Sequence, residues 1–173
     1  MPQVIAEKYE VAGVLGEGGT GIVYDAVRKE DGAAVALKVM HAHLAGEQQI
    51  RGRFQREAAI LRRLEGPNIC PILDFGEVPG DEPGKTVLYL ALPKIAGSSL
   101  EKVLAEGPIA VDRALDVLIE VLAALKAAHA QGVIHRDLKP ANVILGEGGK
   151  VVVVDFGMSK IVTGAGTGTT NLT

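Results

Sequence analysis

Residues 16–21 read Gly-Glu-Gly-Gly-Thr-Gly, and segments of strand character flank them on both sides, Tyr9 to Leu15 before and Ile22 to Arg28 after. No other feature restricts the fold as much. Glycines let a backbone come close to a ligand and turn its N–H groups toward anionic oxygens such as those of a phosphate. A dinucleotide-binding fingerprint would run from a strand into a helix, whereas this one runs from strand to strand, so the chain opens as an antiparallel sheet. By itself a tight turn explains the glycines equally well, and the remainder of the chain has to decide. A third strand, Ala33 to Met40, follows a turn at Asp31-Gly32. There Val35, Leu37 and Val39 alternate with Ala36, Lys38 and Met40, which puts Lys38 on the face opposite the Leu/Val set.

The period then changes. Between residues 48 and 65, Ile50, Phe54, Leu61 and Leu64 recur at helical spacing until Gly66-Pro67 stops the helix. Glu57 falls on the same apolar face, where an ionised carboxylate is costly without a cationic partner. Lys38, on the preceding strand, is the partner expected. Two further strands, Ile72 to Val78 and Thr86 to Leu92, are joined by a Pro/Gly/acidic hairpin. Residues 93–98 read as a linker, followed by a short helix (99–105), a long one (111–131) and β segments at 143–145 and 150–154. The Gly/Thr-rich stretch 163–173 lacks periodicity and is expected to be mobile. The order predicts an α+β chain of two unequal lobes around a cleft. Residues 1–93 form a five-stranded antiparallel sheet with one helix; residues 94–173 form a mainly helical second lobe, which the resemblance described below implies is incomplete.

The net charge of −3 argues against a nucleic-acid or membrane-surface partner. Charges at Asp112, Arg113, Asp116, Glu120 and Lys126 interrupt the most apolar helix, so it predicts no membrane span. Residues 1–10 lack the basic start and apolar run of a leader. The single cysteine, Cys70, reads as a buried thiol in a reducing, cytoplasmic setting. His41 and His43 read as solvated loop residues.

Two later segments carry chemistry. His135-Arg136-Asp137-Leu138-Lys139-Pro140-Ala141-Asn142 gathers a carboxylate, an ammonium and an amide between apolar runs. Asp137 could orient a hydroxyl and accept its proton, Lys139 could neutralise a moving phosphoryl group, and Asn142 could hold a metal. The run Val151 to Val154 ends in Asp155-Phe156-Gly157, a carboxylate at the end of a buried strand. That suits Mg²⁺ sharing its coordination with phosphate oxygens.

With these blocks in order, the chain from about Tyr9 to Thr173 resembles the protein kinases, most closely the bacterial eukaryotic-like Ser/Thr kinases. Lys139 in Asp-Leu-Lys-Pro-Ala-Asn is the Ser/Thr-type residue. The resemblance implies ATP and Mg²⁺ as cofactors and a protein Ser or Thr hydroxyl as acceptor. Gly16, Gly18 and Gly21 would cover the ATP phosphates, and Lys38, held by Glu57, would contact them. Asp137 would be the catalytic carboxylate beside Lys139, with Asn142 and Asp155 the Mg²⁺ ligands. Leu15, Val23, Ala36 and Ile144 would sandwich adenine. Leu92 would be the gatekeeper ahead of a Pro93-Lys94-Ile95 hinge, with Ile95 supplying the hinge N–H. Leu61, Leu73, His135 and Phe156 would form the internal stack of an active kinase. Arg136, as a buried cation, would be balanced by a phosphothreonine, with Thr169 or Thr170 preferred over Thr167 and Thr173. On the same resemblance the family continues beyond Thr173 into helices that cover the 111–131 helix. An apolar face should therefore be exposed there, or covered by a partner or a second copy. A non-catalytic nucleotide-binding or interaction module is the alternative function.

Overall fold

The computed structural model describes residues 4–41, 48–80 and 86–157. The first half is a six-stranded antiparallel sheet of β1 (Val4–Ile5), β2 (Tyr9–Gly18), β3 (Gly21–Arg28), β4 (Ala34–Met40), β5 (Asp74–Pro79) and β6 (Thr86–Pro93), in the order β1-β2-β3-β4-β6-β5. The strand beyond the five expected is β1. It pairs Val4 with Glu10 and Ile5 with Tyr9 across a turn in which Ala6 and Glu7 both take positive φ (53° and 56°). Two residues are too few to carry a periodic signal.

The register explains why the sheet has one chemical and one structural face. Lys38 pairs with Val23 and with Leu90, and Ala36 pairs with Leu92. Paired residues and residues two apart share a face, so these five project together. The opposite face carries Tyr24, Ala26, Val35, Leu37, Tyr89 and Ala91, buried with Ile5 and Tyr9. Against the Lys38 face packs α1 (Gln48–Leu61), which inserts Phe54, Ala58 and Leu61 beside Met40, Leu88 and Leu90. Phe54 is fully buried, with its ring edge-on to Phe75 at 6.3 Å.

The second half contains β7 (Gly97–Ser99), α2 (Leu100–Glu106), α3 (Val111–Ala130), β8 (Val143–Gly146) and β9 (Val151–Val153), with a small sheet ordered β7-β8-β9. The expected linker 93–98 thus ends in a strand. Its pairing partner β8 lies far along the chain, and local alternation could not reveal it. Ser99 caps α2, its Oγ accepting from the Lys102 N–H at 3.2 Å. Val117, Val121, Ala124 and Ala128 of α3 join the α1 cluster, together with Val151, Val153 and Phe156, so one core crosses both halves. Glu120 on α3 accepts from Asn68 Nδ2 at 2.6 Å and from the Val151 N–H at 3.1 Å. The Cys70 N–H donates to the Val153 carbonyl, and the Val153 N–H to that of Asn68. These bonds lock β9, and the residues that follow it, to the segment leading into β5.

The other side of α3 exposes an apolar stripe. Val111, Leu115, Leu118, Ile119 and Leu122 are each more than half exposed, as expected from the sequence. Among the described residues no helix is long and apolar enough to cross a membrane.

Candidate active site

A cleft of about 530 Å³ runs between the two sheets. The Gly-rich tip of β2 and β3 roofs it, Lys38 and Asp155 stand at its inner end, and Asp137, Lys139 and Asn142 form its floor. Another cavity, of about 560 Å³, lies on the outer side of the first sheet among Ile5, Tyr24, Val87 and Tyr89, and holds neither of these charged groups.

Lys38 is buried on β4, and its Nζ donates to Asp155 Oδ2 at 2.6 Å. Asp155 is a partner the sequence did not point to, and this ion pair joins β4 to the residues just after β9. Asp155 takes φ 61°, a left-handed conformation uncommon in non-glycine residues, which turns its carboxylate out of the line of β9 and toward the ammonium. Glu57 is half-buried on α1. Helical periodicity located it on the inward side, and local pattern could not reveal that a strand-end carboxylate reaches Lys38.

The floor is a connected polar cluster. Lys139 Nζ donates to Asp137 Oδ2 at 2.9 Å, and this bond is the main cause holding the Asp137 carboxyl below its ordinary range and raising the Lys139 ammonium. Buried Asn142 donates from Nδ2 to the Asp137 carbonyl at 2.8 Å, and more weakly to its Oδ2 at 3.5 Å. His135 supports the loop from beneath. The Asp137 N–H donates to its Nδ1 at 3.4 Å, so the other nitrogen, Nε2, carries the proton and donates to the Val154 carbonyl at 2.9 Å. The Gly157 N–H returns to the His135 carbonyl at 3.2 Å, and the Phe156 ring lies 4.7 Å from the imidazole. The 135–142 and 155–157 segments are thereby built as one unit.

Along the cleft, Leu15 is exposed on β2, while Val23, Ala36, Leu92, Pro93, Ile95 and Ile144 are half-buried. Val23, Ala36 and Leu92 share the Lys38 face by register, and Pro93 closes β6 opposite Val35. Lys94 ties the hinge to β3 through Asp25 at 2.8 Å. Gly16 and Gly18 have open space where a Cβ would stand; Gly21 does not, since a Cβ there would sit 2.2 Å from the Val39 oxygen.

Three expectations need correction. Leu73 packs with the outer-face cluster, while Ile72 packs with the core that holds Leu61 and Phe156. Neighbouring residues of an extended segment point to opposite faces, so placing the stack at Leu73 instead of Ile72, one residue away, puts it on the wrong side. Arg136 is exposed, with φ 70°, and not buried. His41 is not simply solvated: its Nε2 lies 3.0 Å from the Gly18 carbonyl. Thr167, Thr169, Thr170, Thr173, His43 and the 163–173 stretch lie outside the described residues.

Behind Leu92 a small pocket is lined by Leu61, Cys70, Ile72, Asp155 and Phe156. Burial, and then the nearby Asp155 charge, push the Cys70 thiol up to about 12.

Among the described residues no group of three or more His, Cys, Asp or Glu is poised for a metal. Asp155 with the oxygen of Asn142 is instead a two-donor set of hard ligands. Mg²⁺ takes such a set when phosphate and water oxygens complete its shell, so the residues fit.

The protein kinase domain family model matches residues 9–173, and the chain belongs to that family. Its relatives include the probable serine/threonine-protein kinase PknB of Corynebacterium glutamicum, 39% identical over 163 residues, covering 94% of this chain and 25% of the relative. Pkn3 of Myxococcus xanthus, a serine/threonine-protein kinase, is 40% identical over 164 residues, covering 92% and 29%. The crystal structure of the PknI kinase domain of Mycobacterium tuberculosis superposes with TM-score 0.75 at 31% identity, covering 90% of this chain and 62% of that one. The chain spans about a quarter of the length of the curated relatives it matches.

Proposed function

We propose that this chain carries the nucleotide-binding and phosphoryl-transfer centre of a Ser/Thr protein kinase that uses Mg-ATP. The observation supporting this best is the meeting, under one Gly-rich hairpin, of the Lys38–Asp155 pair and the Asp137–Lys139–Asn142 cluster. Residue by residue, adenine lies between Leu15, Val23 and Ala36 above and Ile144 below, with Leu92 at its inner edge and the hinge, Pro93 to Ile95, alongside. Gly16, Gly18 and Gly21 let the backbone approach the phosphates. Lys38, held by Glu57 of α1, binds their oxygens. Asp155 and Asn142 hold Mg²⁺, which supplies neutralisation of the phosphate charge.

In the transfer, a substrate Ser or Thr oxygen bonds to the γ-phosphorus as the bond to the ADP oxygen breaks, and the hydroxyl proton passes to Asp137. Because Lys139 keeps the Asp137 carboxyl ionised, it is ready to orient that hydroxyl at neutral pH. Lys139 lies beside it to offset charge on the moving group. ATP dependence and a buried free thiol at Cys70 both suit a cytoplasmic location.

The test is phosphate transfer from radiolabelled Mg-ATP to a generic basic protein or to the chain itself, in wild type and in Lys38→Met, Asp137→Asn and Asp155→Asn. Transfer in wild type and its loss in all three variants is expected. Transfer persisting in the variants would overturn the roles. A wild type that binds Mg-ATP and transfers nothing would leave the non-catalytic nucleotide-binding module as the better reading.

A further inference from the structure

The tip of the Gly-rich hairpin is held from behind. The last β2–β3 pair is Gly18 with Gly21, and the ladder already slips between Val14 and Gly16. A Cβ placed on Gly16, Gly18 or Gly19 would meet nothing within 4 Å, so no neighbour packs against that side of the tip. Glycine leaves the backbone there with few steric limits of its own. Besides the pairing of Gly18 with Gly21, the Gly18 carbonyl oxygen is met by the Nε2 of His41, the residue after β4, at 3.0 Å. The His41 backbone N–H also donates to the Thr20 carbonyl at 3.3 Å. A carbonyl only accepts, so the proton of this contact is on Nε2.

Peptide planarity turns that bond into a statement about the cleft. In a trans peptide the carbonyl of one residue and the N–H of the next point in opposite directions. With the Gly18 oxygen directed at His41, the Gly19 N–H is directed away from it. Gly18 and Gly19 line the cleft and His41 does not, so that N–H is turned toward the nucleotide phosphates.

We propose that His41 is a positioning residue for phosphate binding: its imidazole fixes the Gly18–Gly19 peptide so that the Gly19 N–H is presented to the ATP phosphates. This rests on the nucleotide-binding reading above. His41 acts on the phosphates through that peptide and does not line the cleft, so adenosine should not sense it.

The test compares ATP (with Mg²⁺) and adenosine binding by calorimetry on the whole chain. A neutral hydrogen bond of ordinary strength predicts that His41→Ala weakens ATP by about five- to tenfold, with adenosine unchanged. His41→Gln, whose amide nitrogen stands near the place of Nε2, should recover most of the loss. His41→Asn, whose nitrogen stands near that of Nδ1, should not. Equal loss for both ligands, or none for ATP, would overturn the proposal. The ¹⁵N shifts of the His41 ring, recorded without nucleotide, give an independent readout. A proton on Nε2 is expected, and a neutral ring protonated on Nδ1 alone would refute the tether. If the wild type bound neither ligand, the nucleotide reading would fall and the positioning role with it, while the ring shifts would still decide whether the tether exists.

Discussion

The glycines of the β2–β3 hairpin should separate into two kinds when each is changed to alanine. At Gly21 the new Cβ would stand 2.2 Å from the Val39 oxygen and 2.8 Å from the Met40 Cα, where real Cβ contacts under 3.0 Å are essentially never seen. Both obstacles are backbone, so no side chain can swing aside. The Gly21–Met40 end of the β3–β4 ladder has to open. Overpacking of that kind costs about 1–3 kcal/mol, and the Gly21 φ of 158° is one that residues with a side chain rarely adopt. A loss of about 3 kcal/mol corresponds to a fall in Tm of about 6–12 °C for a chain of this size. At Gly18 nothing lies within 4 Å of the added methyl, so stability should move by less than about 0.5 kcal/mol. Its methyl would instead stand where phosphate must approach, weakening ATP. Thermal and urea melts of the two variants without nucleotide make the comparison. Equal destabilisation, or a Gly18→Ala variant less stable than Gly21→Ala, would refute the steric reasoning.

Other expectations are independent of the cleft's chemistry. The Cys70 thiol, pushed up to about 12 by burial and by the Asp155 charge, should resist iodoacetamide at pH 8 in the folded chain and react readily in urea; rapid alkylation of native protein would contradict its place in the core. Asp74 accepts from Lys8, Tyr9 and Tyr89. Burial pushes its carboxyl up, and these three hydrogen bonds outweigh burial and hold it low. A depressed folded-state value means that the ionised group stabilises the fold above the unfolded value of about 4 and that this contribution is lost as pH falls through the folded value. The stability advantage of wild type over Asp74→Asn should thus be level from pH 7 to about 5 and vanish in stronger acid; an advantage that grew on acidification would be the wrong sign. The α3 stripe should bind a hydrophobic dye or drive self-association, and the double change Leu118→Glu, Leu122→Glu should abolish either without lowering Tm, because both side chains are more than half exposed.

What could be read from the residues and what could not divide along a physical line. Alternation of Val35, Leu37 and Val39 against Lys38 located the lysine's face because a strand's two faces are set by local pattern, and the outer cluster holds Val35 and Leu37 as that pattern requires. The helix around Phe54 and the charged loop at 135–142 were equally local. Long-range pairings were not: β7 became a strand only through β8, and Lys38 meets a carboxylate more than a hundred residues away at Asp155. Ile72 and Leu73 show how a position misplaced by one residue in an extended segment exchanges the inner core for the outer cluster. His41 carried no pattern at all. A histidine after a strand is uninformative until the glycine hairpin folds back over it, and only the open space at Gly18 could have hinted that something must hold the tip.

The most direct test of the central claim is a thermal melt of the chain with and without Mg-ATP, beside Lys38→Met. Ligand at about a hundred times its dissociation constant stabilises the native state by about 2.7 kcal/mol, which for a chain of this size is a rise of about 5–10 °C in Tm. The predicted result is a cooperative transition that rises by that amount in wild type and much less in the variant. A cooperative transition indifferent to Mg-ATP would contradict the assignment of this cleft as a nucleotide site.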